Sequence, residues 1–104
     1  MRLTDLNPRW VGTGGEGVTR DGQPVPWQDG VAISFDCPCG SPECGRACIE
    51  FTNPLGGGPP TRTDNHTWQR EGDTFETLTL TPSIQRLDNC RWHGFIRAGE
   101  IVNA

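Results

Sequence analysis

The stretch that decides the fold runs from Cys37 to Cys48 and reads CPCGSPECGRAC, with four thiols within twelve residues. Its glycines and prolines exclude a regular helix. Far downstream, Cys90 and His93 add a fifth thiol and an imidazole. Two such loops predict a metal site, and zinc is the first candidate because it takes four Cys or His ligands in a tetrahedron. The alternatives are a disulfide framework, or buried thiols that pack as small apolar residues.

The candidate ligands outnumber the four places around such an ion; they are Cys37, Cys39, Cys44, Cys48, Cys90 and His93. Cys90 and His93 form a good half-site, because two intervening residues let both side chains point at one ion. We predict that Cys37 and Cys39 complete the set, with Cys44 in place of Cys39 as the second choice. Cys48 begins the next strand and is expected to face the core. Four protein ligands would make the site structural, since a catalytic zinc keeps a water position open.

Composition limits the class of protein. The chain has 104 residues, of which 33% are hydrophobic, so we expect one domain with a modest core. Glycine (14 residues) and proline (9 residues) are frequent, as in loop-rich domains that gain stability from a bound metal. The formal net charge of −4 gives no general phosphate-binding surface. All nine basic residues are arginine, which excludes Schiff-base chemistry on lysine.

Short runs of alternating apolar residues predict an all-β fold. Residues 31–35 (VAISF) and 48–52 (CIEFT) predict two strands that flank the cysteine loop. Residues 75–81 (FETLTLT) are β-branched and alternating, and predict the clearest strand of the chain. Residues 94–102 predict a hairpin, because two apolar runs surround a two-residue turn that contains glycine.

These elements predict a single domain over residues 1–104. Residues 1–30 are expected to form an irregular N-terminal arm, because glycine and proline interrupt every run there. Residues 31–104 are expected to form the zinc-binding β core. The predicted architecture is a small zinc-stabilised β-sandwich or partly open barrel of six to eight short antiparallel strands, with long Gly/Pro-rich loops.

The sequence offers no recognisable catalytic motif. Ser34, Ser41 and Ser83 lack the G-x-S-x-G setting of one class of nucleophilic serine. Asp64 and His66 could form an acid–base pair, but their spacing is a weak signal, and a surface role for His66 is favoured. We therefore predict no catalytic residues and no enzymatic activity.

Three motifs follow one another in the chain: CPCG at residues 37–40, LTPSI at residues 80–84 and C-x-x-H at residues 90–93. Over roughly residues 31–102 the chain resembles an uncharacterised family of small zinc-ribbon-like proteins found in phages and prophages. In that family a further cysteine follows CPCG closely, and its counterpart here would be Cys44. The resemblance implies a zinc site and a phage setting, and it carries no established activity.

We expect a small zinc-binding, phage-type accessory protein that acts by protein–protein interaction. It would modulate the host or its defences, or attach to a virion. The glycine-rich loops are suited to recognition, and the predicted binding residues are Trp92, Arg91 and Arg97. The expected location is the host cytoplasm or the virion, without a signal peptide and without membrane contact, because the N-terminus lacks an apolar signal region.

Two other functions stay open at this point. Zinc ribbons often bind nucleic acid, and Arg86, Arg91 and Arg97 with Trp92 could form a local basic and aromatic patch. A zinc-dependent hydrolase would need an incomplete ligand set around the metal, with His66 or Glu76 as its acid or base. A salt-dependent interaction with single-stranded DNA or RNA would favour nucleic-acid binding. An exchangeable water on the metal would favour the hydrolase.

Overall fold

The computed structural model describes residues 1–14, 19–20, 22–24, 26–62, 64–86 and 90–104. Its strands are β1 (Arg9–Thr13), β2 (Thr19–Arg20), β3 (Gln23–Pro24), β4 (Gln28–Asp36), β5 (Arg46–Glu50), β6 (Gln69–Glu71), β7 (Thr79–Thr81), β8 (Ile84–Gln85), β9 (His93–Arg97) and β10 (Glu100–Asn103). The helical elements in these ranges are two 3-10 turns, Leu3–Leu6 and Pro42–Cys44. The prediction of an all-β fold of short antiparallel strands is confirmed.

The first sheet has the strand order β1-β4-β5 and carries most of the core. β4 is longer than the predicted strand, and its residues Gly30 to Ile33 are all buried. Because successive side chains of a strand point to opposite faces, burial of these consecutive residues shows that both faces of this part of β4 are covered. The cysteine loop connects β4 to β5, so the predicted pair of strands around that loop is confirmed.

The second sheet has the order β10-β9-β8. β9 and β10 form the predicted hairpin, in which Arg97 pairs with Glu100. The turn residues Ala98 and Gly99 both have positive φ angles, 47° and 76°, as a tight two-residue hairpin turn requires. β8 has only two residues and is held by its register with β9, in which Ile84 pairs with Gly94 and Gln85 with His93.

The strand predicted over residues 75–81 is shorter in the structure, because β7 begins at Thr79. The Thr74 and Thr77 hydroxyls lie 2.7 Å apart, and the Thr77 amide donates to the Thr74 carbonyl, so residues 74–77 form a turn. Threonine hydroxyls that bond to nearby backbone groups compete with strand pairing. The Phe75 ring instead stacks on Trp10, with 4.6 Å between the ring centroids.

The beginning of the chain packs against the core. Leu3 and Leu6 are buried, and the Leu3 amide donates a 2.8 Å hydrogen bond to the Gly99 carbonyl. β1 then pairs with β4. The predicted irregular arm therefore contains regular structure, while its residues 15–18, 21 and 25 lie outside the described ranges. Among the described residues, no helix has the length and apolar character needed to cross a membrane.

Candidate functional site

Four thiols meet at one end of β4. The Sγ atoms of Cys37, Cys39, Cys44 and Cys90 all lie within 4.8 Å of one another, and we call these residues the thiol cluster. Cys37 follows β4 directly, and the Gly40 amide donates to its carbonyl at 3.1 Å to form a tight turn. The 3-10 turn Pro42–Cys44 then brings the Cys44 side chain close to Cys39. Cys90 lies in the segment that precedes β9.

The geometry of the thiol cluster fits a metal ion. The Sγ atoms of Cys37 and Cys90 are 3.2 Å apart, and those of Cys39 and Cys44 are also 3.2 Å apart. In a tetrahedral zinc–thiolate site the sulfur atoms stand about 3.8 Å apart, which follows from a Zn–S distance of about 2.3 Å. The four thiols therefore need only small shifts to enclose one ion. Soft thiolate donors suit zinc and related ions.

The protein environment makes the thiols unequal. A hydrogen bond from the Trp92 backbone and contacts with Cys37 lower the pKa of Cys90 to about 7. Burial raises the pKa of Cys37, and the hydrogen bond with Cys39 raises the pKa of Cys44. The lowered pKa of Cys90 favours its thiolate, which is the form in which a cysteine binds a metal.

Two of the predicted ligands, His93 and the alternate Cys48, lie outside the thiol cluster. Cys44, the alternate, belongs to the thiol cluster, whereas the His93 side chain is not among its members. His93 is the first residue of β9, and its Nε2 atom lies 3.0 Å from the hydroxyl oxygen of Ser83. Cys48 is an exposed residue of β5, paired with Ser34 of β4, and it does not face the core.

The Ser83–His93 pair is held from two sides. Ser83 lies between β7 and β8, and the indole nitrogen of Trp68 donates a 3.1 Å hydrogen bond to its backbone carbonyl. The β8–β9 register places His93 opposite Gln85, next to Ser83 across the ladder. A serine hydroxyl within hydrogen-bond distance of an imidazole is the arrangement of an activated nucleophile and its base.

The second histidine belongs to a charged group at the surface. The Arg62 guanidinium donates to both Asp64 carboxylate oxygens at 2.6 Å, and His66 Nδ1 lies 3.3 Å from the same carboxylate. The hydrogen bonds from Arg62 hold the pKa of Asp64 at about 2. His66 is exposed, so the predicted surface role fits its place, and the contact with Asp64 adds an acid–base pair.

The predicted binding residues have separate environments. Trp92 is half-buried, packs against the core and donates a 2.9 Å hydrogen bond from its indole to Asn103. Arg91 is exposed and adopts a positive φ of 51°. Arg97 is also exposed, and its guanidinium lies 4.1 Å from the centroid of the Phe95 ring. Trp92 thus takes the inward-packing position, whereas the two arginines face solvent.

A protein-family model described as "Bacterial ubiquitination-like system serine protease (BubE)" matches residues 17–104. The chain belongs to the BubE family. The matched range contains both the thiol cluster and the Ser83–His93 pair. Neither the curated proteins nor the solved structures that were compared gave a match.

Membership of the BubE family corrects two predictions. The prediction of a non-enzymatic protein is wrong, because the family is named for a serine protease. The predicted function, a small zinc-binding, phage-type accessory protein acting by protein–protein interaction, is contradicted for the same reason. The family name supports neither the phage setting nor the nucleic-acid alternative. The sequence interpretation failed because it tested the serines only for the G-x-S-x-G motif.

Sequence reasoning did not predict the contact between Ser83 and His93. It looked for the strand–turn–helix setting of G-x-S-x-G, whereas this serine lies between two short strands. A signal was present in the resemblance, because its motifs LTPSI and C-x-x-H contain Ser83 and His93. Serine–histidine pairs recur on unrelated folds and are recognised by geometry, so only the folded structure could show the contact.

Proposed function

We propose that this chain is a serine protease of a bacterial ubiquitination-like system, with Ser83 as the nucleophile and His93 as the general base. The observation that carries the proposal is the 3.0 Å separation between Ser83 Oγ and His93 Nε2. The family name supplies the reaction class and the setting. Its substrate would be a protein of that system, cleaved at a peptide or isopeptide bond, and this protein is the proposed partner.

The proposed reaction follows from the two side chains. With its proton on Nδ1, the His93 imidazole accepts the Ser83 hydroxyl proton at Nε2 while Oγ attacks the scissile carbonyl carbon. The C–N bond then breaks, and the leaving amine takes that proton from His93. Water, deprotonated by the same imidazole, hydrolyses the acyl-enzyme and restores the Ser83 hydroxyl. The Trp68 indole holds the Ser83 carbonyl, so the nucleophile keeps its position during both steps.

We further propose that the thiol cluster holds one zinc ion. Four sulfur donors within 4.8 Å of one another support this assignment, because zinc favours tetrahedral thiolate sites. The ligands would be Cys37, Cys39, Cys44 and Cys90. When bound, the ion would supply structural cross-linking, since four protein ligands leave no open coordination position.

The proposal is tested with a fluorophosphonate probe, which labels serine hydroxyls activated by a base. The purified protein should be labelled at one site, and Ser83→Ala should abolish the labelling. His93→Gln should slow labelling by roughly 10²–10⁴-fold, the usual contribution of a general base. Mass spectrometry of the labelled peptide identifies the modified serine.

Two control variants match these changes in residue type. Ser34→Ala removes a hydroxyl that accepts a hydrogen bond from Arg46, and His66→Gln removes the exposed histidine beside Asp64. Both variants should label at the wild-type rate. Wild-type labelling of Ser83→Ala, or loss of labelling in His66→Gln with normal labelling in His93→Gln, would contradict the assignment of the pair.

A further inference from the structure

The outward face of β9 carries a row of side chains that begins at the Ser83–His93 pair. The second and fourth residues of β9 are buried, whereas its first, third and fifth residues are exposed or half-buried. His93, Phe95 and Arg97 therefore share the outward face, because side chains two residues apart in a strand point the same way. We call these three residues the β9 row. The Ser83 hydroxyl lies at its His93 end.

The three side chains of the β9 row lie next to one another. The ring centroids of His93 and Phe95 are 6.5 Å apart, and the guanidinium carbon of Arg97 lies 4.1 Å from the Phe95 centroid. A guanidinium over an aromatic face is attracted to the ring, and its planar set of N–H donors keeps a defined orientation. Arg97 is thus oriented in advance, which lowers the ordering cost of binding an acceptor.

Arg97 is exposed, and it forms no ion pair with a carboxylate of the described residues. Glu100 stands opposite Arg97 in the hairpin, but its carboxylate lies 3.5 Å from the Arg2 guanidinium instead. A guanidinium binds a carboxylate through charge-assisted hydrogen bonds, which are the stronger ones in proteins. The far end of the β9 row is therefore suited to a carboxylate from another molecule.

An apolar patch lies between the two ends of the β9 row. Val102 pairs with Phe95 in the hairpin and exposes 36% of its surface, while Phe95 is half-buried. Side chains directly opposite each other in an antiparallel pair are neighbours on the same face. The outward surface of the hairpin thus leads from the Ser83–His93 pair across an apolar patch to a cation.

We propose that the β9 row binds the acyl part of the substrate as an extended segment, with an apolar side chain on Phe95 and Val102 and an acidic side chain on Arg97. This inference rests on the proposed protease function. The acyl part stays attached to Ser83 until hydrolysis, so contacts with it serve both steps of the reaction. The substrate class is therefore a polypeptide with an acidic segment before the cleaved bond.

The spacing along the β9 row sets the positions in the substrate. An extended chain advances about 3.3 Å per residue, so the 6.5 Å between the His93 and Phe95 rings corresponds to two residues. Counting the residue with the cleaved carbonyl as the first, the apolar side chain is the third. The acidic side chain is the fourth or fifth, because the Arg97 guanidinium lies against Phe95.

The test measures how fast Ser83 reacts with peptide phosphonates, in which phosphorus replaces the cleaved carbonyl carbon. The probes share an apolar third residue and carry Glu, Gln or Lys at the fourth and fifth positions. Each rate is divided by the rate of the same variant with the small fluorophosphonate, so that a general change in reactivity cancels. Wild-type protein should prefer the Glu probe to the Lys probe by roughly 3–10-fold, the scale of exposed charge pairs.

Variants of the β9 row should change this preference in different ways. Arg97→Gln should remove it, and Arg97→Glu should reverse it in favour of the Lys probe. Phe95→Leu keeps an apolar surface but removes the ring beside the guanidinium, so the preference should weaken. Arg9→Glu reverses the charge of an exposed arginine on β1 and is the matched control, which should keep the wild-type preference.

A second readout follows binding without the reaction. End-blocked peptides with Glu or Gln at the fourth and fifth positions are titrated into the protein, and the backbone amide signals of Phe95 and Arg97 are followed by NMR. The Glu peptide should shift these signals more than the Gln peptide, and the difference should vanish in Arg97→Gln. Inorganic phosphate at the same concentration tests whether any anion is sufficient.

The outcomes separate the substrate preference from the protease function. Equal normalised rates with the Glu and Lys probes, or a preference for Glu that persists in Arg97→Glu, would overturn the inference and leave the protease assignment intact. Equal shifts with inorganic phosphate would also overturn it, because they would indicate a general anion site. If Ser83→Ala reacts with the small fluorophosphonate like wild type, the protease assignment fails, whereas the peptide titration still reports whether the β9 row binds acidic segments.

Discussion

A serine hydroxyl becomes a nucleophile when a base lies within hydrogen-bond distance, so the partner decides the role of the residue. Ser83 meets His93 at 3.0 Å, whereas Ser34 accepts a hydrogen bond from Arg46 and Ser41 caps a 3-10 turn. The three serines are alike in one sequence feature, since none lies in a G-x-S-x-G motif. Their contacts alone distinguish them.

One prediction at the residue scale concerns the pKa of Asp64. Hydrogen bonds from Arg62 hold it at about 2, below its ordinary value of 3.8, and His66 contributes less. Arg62→Gln should therefore raise the pKa of Asp64 toward 3.8, while His66→Gln should raise it less. The measurement is an NMR titration of the carboxyl carbon.

The sign of the effect on stability follows from that direction. Because the pKa is lowered in the folded state, the Asp64–Arg62 interaction stabilises the fold above pH 4 and is lost as the pH falls through about 2. Arg62→Gln should make stability in this acidic window less dependent on pH. An equal rise in the pKa of Asp64 in both variants would show that Arg62 is not the main cause.

At the scale of elements, β9 connects the parts of the candidate site. It begins at His93, pairs with β8 beside Ser83, and forms the hairpin with β10 on its other edge. Buried Ile96 anchors the strand in the core. The five residues of β9 thus join the Ser83–His93 pair to the core and to the segment that carries Cys90. Under the proposed function, damage to β9 should therefore reduce activity and stability together.

A prediction at this scale is that Gly94→Ala destabilises β9. A Cβ atom at Gly94 would lie 2.4 Å from the Trp92 ring and 2.4 Å from the Val102 carbonyl oxygen, and the latter is backbone that cannot easily move. We expect a loss of about 1–3 kcal/mol in the free energy of unfolding, the usual cost of overpacking. Urea denaturation measures it.

Gly56→Ala is the matched control for this prediction. A Cβ atom there would have its nearest contact at 3.7 Å, with the Asp29 carbonyl oxygen, which is an ordinary van der Waals distance. Its free energy of unfolding should stay close to that of the wild type. If both variants have wild-type stability, the close packing of β9 against Trp92 and Val102 is not present in solution.

At the scale of the whole molecule, the thiol cluster joins segments that are far apart in the chain. Cys37 and Cys90 are separated by 53 positions, and their meeting connects the end of β4 with the segment before β9. Only 33% of the chain is hydrophobic, so the core is small. Under the proposed function, a metal ion bound by the thiol cluster would supply stability that a small core lacks.

The corresponding prediction separates Cys44 from Cys48. Cys44→Ser should lose the metal and unfold, or melt at a much lower temperature, because the binding free energy of structural zinc is on the order of 10 kcal/mol and is part of the folding free energy. Cys48→Ser changes an exposed thiol outside the thiol cluster and should keep one metal per chain. Metal analysis and thermal melting measure both variants.

The opposite pattern would contradict the assignment of the ligands. Retention of metal by Cys44→Ser, together with its loss in His93→Gln, would return His93 to the ligand set that the spacing predicted. Loss of metal from both Cys44→Ser and His93→Gln would show that the ion also depends on the Ser83–His93 pair. Each result is independent of fluorophosphonate labelling.

Some features of this protein follow from the sequence alone. The alternating apolar runs and the glycine in the turn determined the all-β class and the β9–β10 hairpin, because these depend on neighbouring residues. The dense cysteines predicted a metal site rich in sulfur donors, since the residue types define the donor chemistry, and four of the thiols do lie close together. The runs and the turn are local, and the donor types are given by the residues themselves, whereas the meeting of Cys90 with Cys37 across 53 positions is not local.

Only the tertiary structure decided which side chains meet. Spacing paired His93 with Cys90, but the register of β8 and β9 turns His93 toward Ser83, and the 3-10 turn brings Cys44 into the thiol cluster instead. In a strand, a shift of one residue reverses the direction of every side chain. Contacts between distant residues therefore depend on strand register and packing, which the local sequence does not specify.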